Sequence, residues 1–263
     1  MLNLEGPRLK LARAKEHLDL LTGEVDAFLK SKPYTVTVEV DQQQPGMLIR
    51  GWVNSTPKPM WGVVAAEIAH QCRSALDQMV FQAAPGRVRK RGRTAFPIRV
   101  EERTRDGQGI EIVGIPMVSF LHQKALAVVE RAQPYKRTDI PPKFDLLAIM
   151  ADLDNDDKHS LTTEVSCPGA GLQANLTFDR PVDLAKIRLI SIGGGVIRKN
   201  GAPIGRIEAE TPKGTTVQVQ PHVAFQVQFG KGSSASQLPM VELCRDIHAR
   251  VAQIVDEFQR EHP

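Results

Sequence analysis

Apolar residues recur at helical spacing from residue 7 to 31, where Leu9, Ala12, Leu18, Leu20, Leu21, Val25, Phe28 and Leu29 are separated by Lys, Arg, Glu and Asp. Such a stripe predicts one long amphipathic helix. Pro33 stops it, because proline lacks the N–H that a helix interior needs. The period then drops to two: Tyr34 to Val40 and Met47 to Val53 alternate, and the Gln-rich link ending in Pro45-Gly46 joins them as a hairpin. Behind Pro57 and Pro59 the helical period returns over residues 60 to 84. Residues 85 to 114 read as a polar, Gly- and Arg-rich loop with one short extended piece, Phe96 to Val100. Pro116 opens a third helix that runs to Arg131 and ends at Gln133-Pro134-Tyr135; a fourth follows Pro141-Pro142, from Lys143 to Lys158.

From Leu161 to Phe229 short alternating runs are divided by Gly, Pro and Asn, at 161–166, 172–178, 186–192, 195–199, 204–210 and 215–229, with a hairpin turn at Asn200-Gly201. A connector over 230–236 leads to a last amphipathic helix, Leu238 to Phe258. The expected class is α+β: a bundle of about five helices with an N-terminal β-hairpin and an antiparallel β insertion. The expected division is 1–160 for the helices and hairpin, 161–230 for the insertion, and 231–263 for a helix returning to the bundle.

Composition adds little: 263 residues, 41% hydrophobic and 24% charged, describe an ordinary globular chain. No window approaches the ~18 apolar residues of a membrane span, and Met1 to Lys15 alternates charge with Leu where a signal peptide would have an apolar core. A cytoplasmic protein without a membrane partner is expected. Cys72, Cys167 and Cys244 are distant from one another, odd in number and free of CxxC spacing, which points to free thiols and away from disulfides or a zinc knuckle. The net charge is only +4, but Arg87, Arg89, Lys90, Arg91 and Arg93 form one acid-free cluster. Such a run suits a nucleic-acid backbone. No aromatic residue interleaves with it, so base stacking is not indicated.

The second helix carries the candidate chemistry. At about 100° per residue, Glu67, His70, Ser74, Asp77 and Gln78 share one side with Arg73 at its margin, while Val64, Ile68, Cys72, Ala75, Leu76 and Met79 share the other. Val63 and Phe81 bracket the polar line, as though that face were itself partly covered. The fourth helix ends in Asp152, Asp154, Asp156 and Asp157, followed by Lys158 and His159. Carboxylates at a helix C-terminus oppose the helix dipole. A cation such as Arg73, a metal ion or a polar turn would account for them.

The helix His70-Gln-Cys-Arg73-Ser-Ala-Leu-Asp77, with Gln133-Pro134-Tyr135 and Asp154-Asn-Asp156-Asp157-Lys158-His159 after it, resembles a widespread family of bacterial and phage proteins whose label carries little functional information. Its members show a helix close to His-Asn-Leu-Arg-Ser-Ala-Leu-Asp-His and a later Asp-Lys-His, and the likeness covers roughly residues 5 to 165. More remotely the chain resembles HEPN ribonucleases, helical bundles marked by an Arg followed by a His and often dimeric. Gln78 stands where that His would fall, and an amide is neither general acid nor base.

The resemblance implies RNA as partner, a homodimer, and metal-independent cleavage. His70 or His159 would take the proton from an RNA 2′-hydroxyl, with Arg73 stabilising charge on the phosphate and Asp77 and Lys158 completing the site. The first alternative is a divalent-metal hydrolase or oxidase holding its ion with Glu67, His70, Asp77, Asp157 and His159, since Glu67-x-x-His70 and Asp156-x-x-His159 have the spacing of dimetal bundles. The second is a non-catalytic binding or assembly protein. His17, His122, His222, His248 and His262 are isolated and read as structural or surface residues, and Gly193-Gly194-Gly195 lacks the context of a phosphate loop.

Overall fold

The computed structural model describes residues 2–41, 46–90, 92, 94–105, 111–156, 163–166, 171–192, 197, 200–231 and 234–262. They form helices α1 (Glu5–Lys30), α2 (Met60–Ala83), α3 (Gly86–Arg89), α4 (Gln123–Arg131), α5 (Leu146–Asp156) and α6 (Met240–Glu261). The strands are β1 (Tyr34–Val40), β2 (Met47–Val53), β3 (Arg103–Arg105), β4 (Glu111–Val113), β5 (Thr163–Ser166), β6 (Leu172–Phe178), β7 (Ile187–Ser191), β8 (Ala202–Ala209), β9 (Val217–Val223) and β10 (Gln226–Phe229). The α+β class with an N-terminal hairpin is therefore the observed one. No helix among the described residues is long and apolar enough to cross a membrane.

The chain divides into two compact units. The first comprises Met1–Thr22, Met60–Leu161 and Lys231–Pro263. Its centre is α2, which packs on α5 and α6, while α6 also packs on α4 and α5. Ala65, Ala66, Ile68, Ala69, Cys72, Ala75, Leu76, Met79 and Val80 are buried along α2, and small residues at four of these positions let the neighbouring helices come close. The stripe Leu243, Cys244, Ile247, Val251, Ile254, Val255 and Phe258 answers from α6. On α1 the buried line is Leu11, Ala14, Leu18 and Leu21, with Leu4 buried just before the helix, whereas Leu9 and Leu20 stay exposed at 64% and 58%. Arg8 ties α1 to α6 through Asp256 at 2.8 Å and Gln259 at 2.7 Å, and His248 donates through Nε2 to the Leu11 carbonyl at 3.1 Å.

Proline marks three single 3-10 turns, Pro116–Val118, Pro134–Lys136 and Pro142–Phe144. Two of them replace the starts of helices expected from the sequence. The third expected helix begins at Gln123, beyond the first turn, and the fourth begins at Leu146, where the carboxylate of Asp145, 2% exposed, accepts from the Leu147 N–H at 2.8 Å and caps the helix. The region expected to be loop holds α3 and the small hairpin β3–β4. Phe96 to Val100, expected to be extended, forms no ladder; its backbone bonds go largely to side chains, as described below.

The second unit comprises Gly23–Pro59 and Thr162–Gly230. Its main sheet is antiparallel with order β1-β2-β8-β7, so the hairpin expected to accompany the helices is continuous with strands of the insertion. Pairs β6–β9 and β5–β10 complete the unit. Ile49, Ile204 and Ile207 are fully buried, and Gly205, without a side chain, leaves room for Leu172 against the sheet. At the Asn200-Gly201 turn Gly201 takes φ +74°, a left-handed conformation that suits glycine, and the Asn200 side chain accepts from the Val53 N–H at 2.7 Å. Arg206 and Asp41 form an ion pair that is nearly buried, at 11% and 8% exposure. The expected strand 195–199 falls largely outside the described residues, as does Gly193-Gly194-Gly195.

Candidate functional site

The polar side of α2 splits into three separate arrangements within the first unit. Nearest the helix start, the carboxylate of Glu67 meets Nδ1 of His17 on α1 at 3.1 Å; Glu67 is 49% exposed and His17 only 15%. One turn on, His70 meets Asp154 of α5, Nδ1 to Oδ1, at 2.7 Å, with side chains 60% and 23% exposed. An ionised carboxylate only accepts, so Nδ1 carries the proton and the neutral ring keeps its lone pair on Nε2. At the end of α5, Asp154 thus has a hydrogen-bond donor in the His70 ring, while the Arg73 guanidinium turns to Asp77 and Phe96.

The third arrangement occupies Arg73 and Asp77. Arg73 Nε donates to Asp77 Oδ2 at 3.2 Å and its Nη2 donates to the Phe96 carbonyl at 2.9 Å, while Asp77 Oδ1 accepts from the Phe96 N–H at 2.8 Å. The two side chains thus hold both polar groups of one residue whose ring is wholly buried. Gln133 continues the same work at 0% exposure, donating through Nε2 to the carbonyls of Pro97 and Val129 at 2.9 Å each and accepting from the Arg99 N–H at 3.1 Å. Tyr135 N–H closes the set on the Arg99 carbonyl at 3.1 Å. Arg73, Asp77, Gln133 and Tyr135, all within the motifs singled out in the sequence, together seat the segment from Phe96 to Arg99.

The expected site residues are distributed among these contacts. Arg73, expected to stabilise charge on a phosphate, bonds the Asp77 carboxylate through Nε and the Phe96 carbonyl through Nη2. Asp77, expected as a catalytic or metal-binding acid, has both oxygens occupied. Glu67 and His70 take different protein partners, and among the described residues no three His, Cys, Asp or Glu side chains gather as a metal site. Asp157, Lys158 and His159 lie outside the described residues. Val63 and Phe81, expected to signal a covered face, are 45% and 40% exposed.

The basic run is equally divided. Arg89 donates to the carbonyls of Gln82 and Ala84 at 2.7 Å each and lies 5.4 Å above the Phe81 ring, so it closes the C-terminus of α2. Arg87 and Lys90 are exposed, and Arg91 and Arg93 lie outside the described residues. Cys72 and Cys244 are free and buried, as expected, and burial pushes both thiols up to about 12; Cys167 is outside the described residues.

His17 is the residue that sequence reading missed. It follows Ala14 by three positions and precedes Leu18, beside the buried line of α1, which is the one signal that this imidazole faces a neighbour. No family model matches the chain, and no curated protein or solved structure matches it either.

Proposed function

We propose that the protein engages RNA through a HEPN-like helical bundle and cleaves it without a metal ion, with His70 as general base. The observation that carries this reading is the 2.7 Å contact from Asp154 to His70 Nδ1, which fixes the tautomer and leaves Nε2 on a side chain 60% exposed. A base needs that availability, and an oriented imidazole contributes about 10²- to 10⁴-fold to a proton-transfer step. Arg73 is then a positioning residue, holding its turn of α2 through Asp77 and Phe96, and Arg87 and Lys90 supply attraction to the phosphate backbone. The homodimer belongs to the same reading, through the HEPN resemblance alone. Buried free thiols fit the reducing cytoplasm.

A second reading, an RNA-binding or assembly protein without turnover, is favoured by one observation: Arg73, Asp77 and Arg89, three of the charged groups expected to act on substrate, are spent on the chain's own backbone. Incubating mixed-sequence oligoribonucleotides with the full chain in EDTA separates the two. Cleavage that survives chelation and is lost in His70→Asn supports the base. Binding without cleavage selects the second reading, and neither binding nor cleavage overturns both.

A further inference from the structure

Opposite the buried line of α1, about 180° around the helix, runs a second line at steps of four, three and four residues: Leu9, Arg13, Glu16 and Leu20. All four are exposed, the leucines at 64% and 58% and the Arg13 and Glu16 side chains at 60% and 66%. One exposed leucine is ordinary. Two at the ends of a line with these steps have the spacing of a seam that packs against another helix. Leu9 also borders a concavity: Leu2, Leu4, Leu9 and Ala12, with Arg8 and with Gln259 of α6, line a shallow cavity of about 520 Å³, which is large enough to receive a leucine side chain.

The chemistry of the line is symmetric about the point between Ala14 and Lys15. Leu9 corresponds to Leu20 across that point, and Arg13 corresponds to Glu16, its opposite in charge. A copy of α1 laid antiparallel on this face therefore sets the partner's Leu20 against Leu9 and the partner's Glu16 against Arg13, and a twofold axis repeats both contacts. Within one chain Arg13 Nη1 already donates to Glu16 at 2.9 Å, so the centre of the pairing gathers two cations and two anions with no net charge. A parallel copy would set Arg13 on Arg13 and Glu16 on Glu16, which repel. Another protein would have to bring the reverse of this pattern; the chain carries that reverse itself.

Resting on the homodimer of the proposed function, though on no step of catalysis, we infer that the outward face of α1 is the dimer interface. A second copy of the chain packs antiparallel along Leu9, Arg13, Glu16 and Leu20, and Leu20 of each copy enters the other's cavity beside Leu9. The charged centre fixes register and direction, while the leucines at either end supply the apolar burial. A seam of about three turns lies at the small end of specific interfaces, so the association is reversible and depends on concentration.

Sedimentation of the full chain over about 1 to 200 µM, a range that spans micromolar dissociation constants, tests this. Wild type is expected to pass from monomer to dimer. Leu20→Glu should weaken association at least tenfold, and adding Leu9→Lys to it should recover much of the loss, because only an antiparallel pairing brings positions 9 and 20 together. Arg13→Glu and Glu16→Arg should each be monomeric alone and should form a heterodimer when mixed. These positions are exposed, and an unchanged urea midpoint at low concentration confirms that each variant folds. A wild-type dimer indifferent to Leu20→Glu and to Arg13→Glu overturns this interface and leaves the homodimer to another surface, as does loss in Leu20→Glu that Leu9→Lys does not relieve. A wild type that stays monomeric throughout overturns the interface and the homodimer together. The His70 reading is decided separately, by cleavage.

Discussion

Asp77 accepts the N–H of Phe96 at 2.8 Å while Arg73, one turn earlier on α2, donates to the carbonyl of that same residue at 2.9 Å. A segment without ladder partners must satisfy its backbone elsewhere, since an unpaired buried N–H or C=O costs as much as a lost hydrogen bond. Asp77→Ala removes the acceptor for one group and the partner of Arg73 together. It is expected to lower stability by about 1–3 kcal/mol in urea unfolding. Asp77→Asn retains an acceptor for Phe96 and should cost less. Equal stability of Asp77→Ala and wild type would show that the clamp contributes nothing to folding.

Gln133 is the more sensitive member, because it is fully buried and all three of its bonds go to backbone. Gln133→Ala leaves the Pro97 carbonyl and the Arg99 N–H without their partner and opens a void. A loss of about 3 kcal/mol is expected, exceeding that of Asp77→Ala, and both should be read from the midpoint at constant urea dependence.

The long helices and most strands were legible because their side chains repeat with the period of the backbone: α2 was bounded within one residue, and β6 was bounded as it stands. The hairpin β3–β4 was not, since strands of three residues carry too little alternation to separate from a polar loop. The motif on α2 was visible as an unusual set of chemically able side chains, yet its division of labour was hidden. Arg73 and Asp77 are explained by Phe96, some twenty residues away in a segment with no period, and His17 by Glu67 on another helix. Periodicity reports which face a residue occupies; it does not report which distant backbone or side chain lies opposite.

The basic run should separate into two kinds of residue on mutation. Arg89→Ala strips two carbonyls at the end of α2 of their donor and uncovers Phe81, and it should lower stability by about 1 kcal/mol. Arg87→Ala with Lys90→Ala changes two exposed side chains and should leave the unfolding midpoint where it is. If these two meet phosphates of single-stranded RNA, the slope of log affinity against log salt falls by about 1.4 in that double variant. An unchanged slope would remove both from the RNA contact.

The two buried thiols give the protein a defined alkaline limit. Burial pushes Cys72 and Cys244 up to about 12 from an unfolded value near 9.0, and for Cys244 the neighbouring Cys72 and Glu242 add to the effect. A raised folded value means that the unfolded chain releases its thiol protons first as pH rises. The stabilisation held by the protonated thiols is complete below pH 9 and is lost progressively as pH climbs from there toward 12. The urea midpoint should therefore fall across that window, and Cys72→Ala with Cys244→Ala should flatten this part of the fall even where it lowers stability at neutral pH. At pH 8 a thiol reagent should label neither residue in the folded chain and both after unfolding, since a thiol held protonated and out of reach is a poor nucleophile. Prompt labelling of either in the native protein would mean that the packing of α2 against α6 opens on the timescale of the reaction.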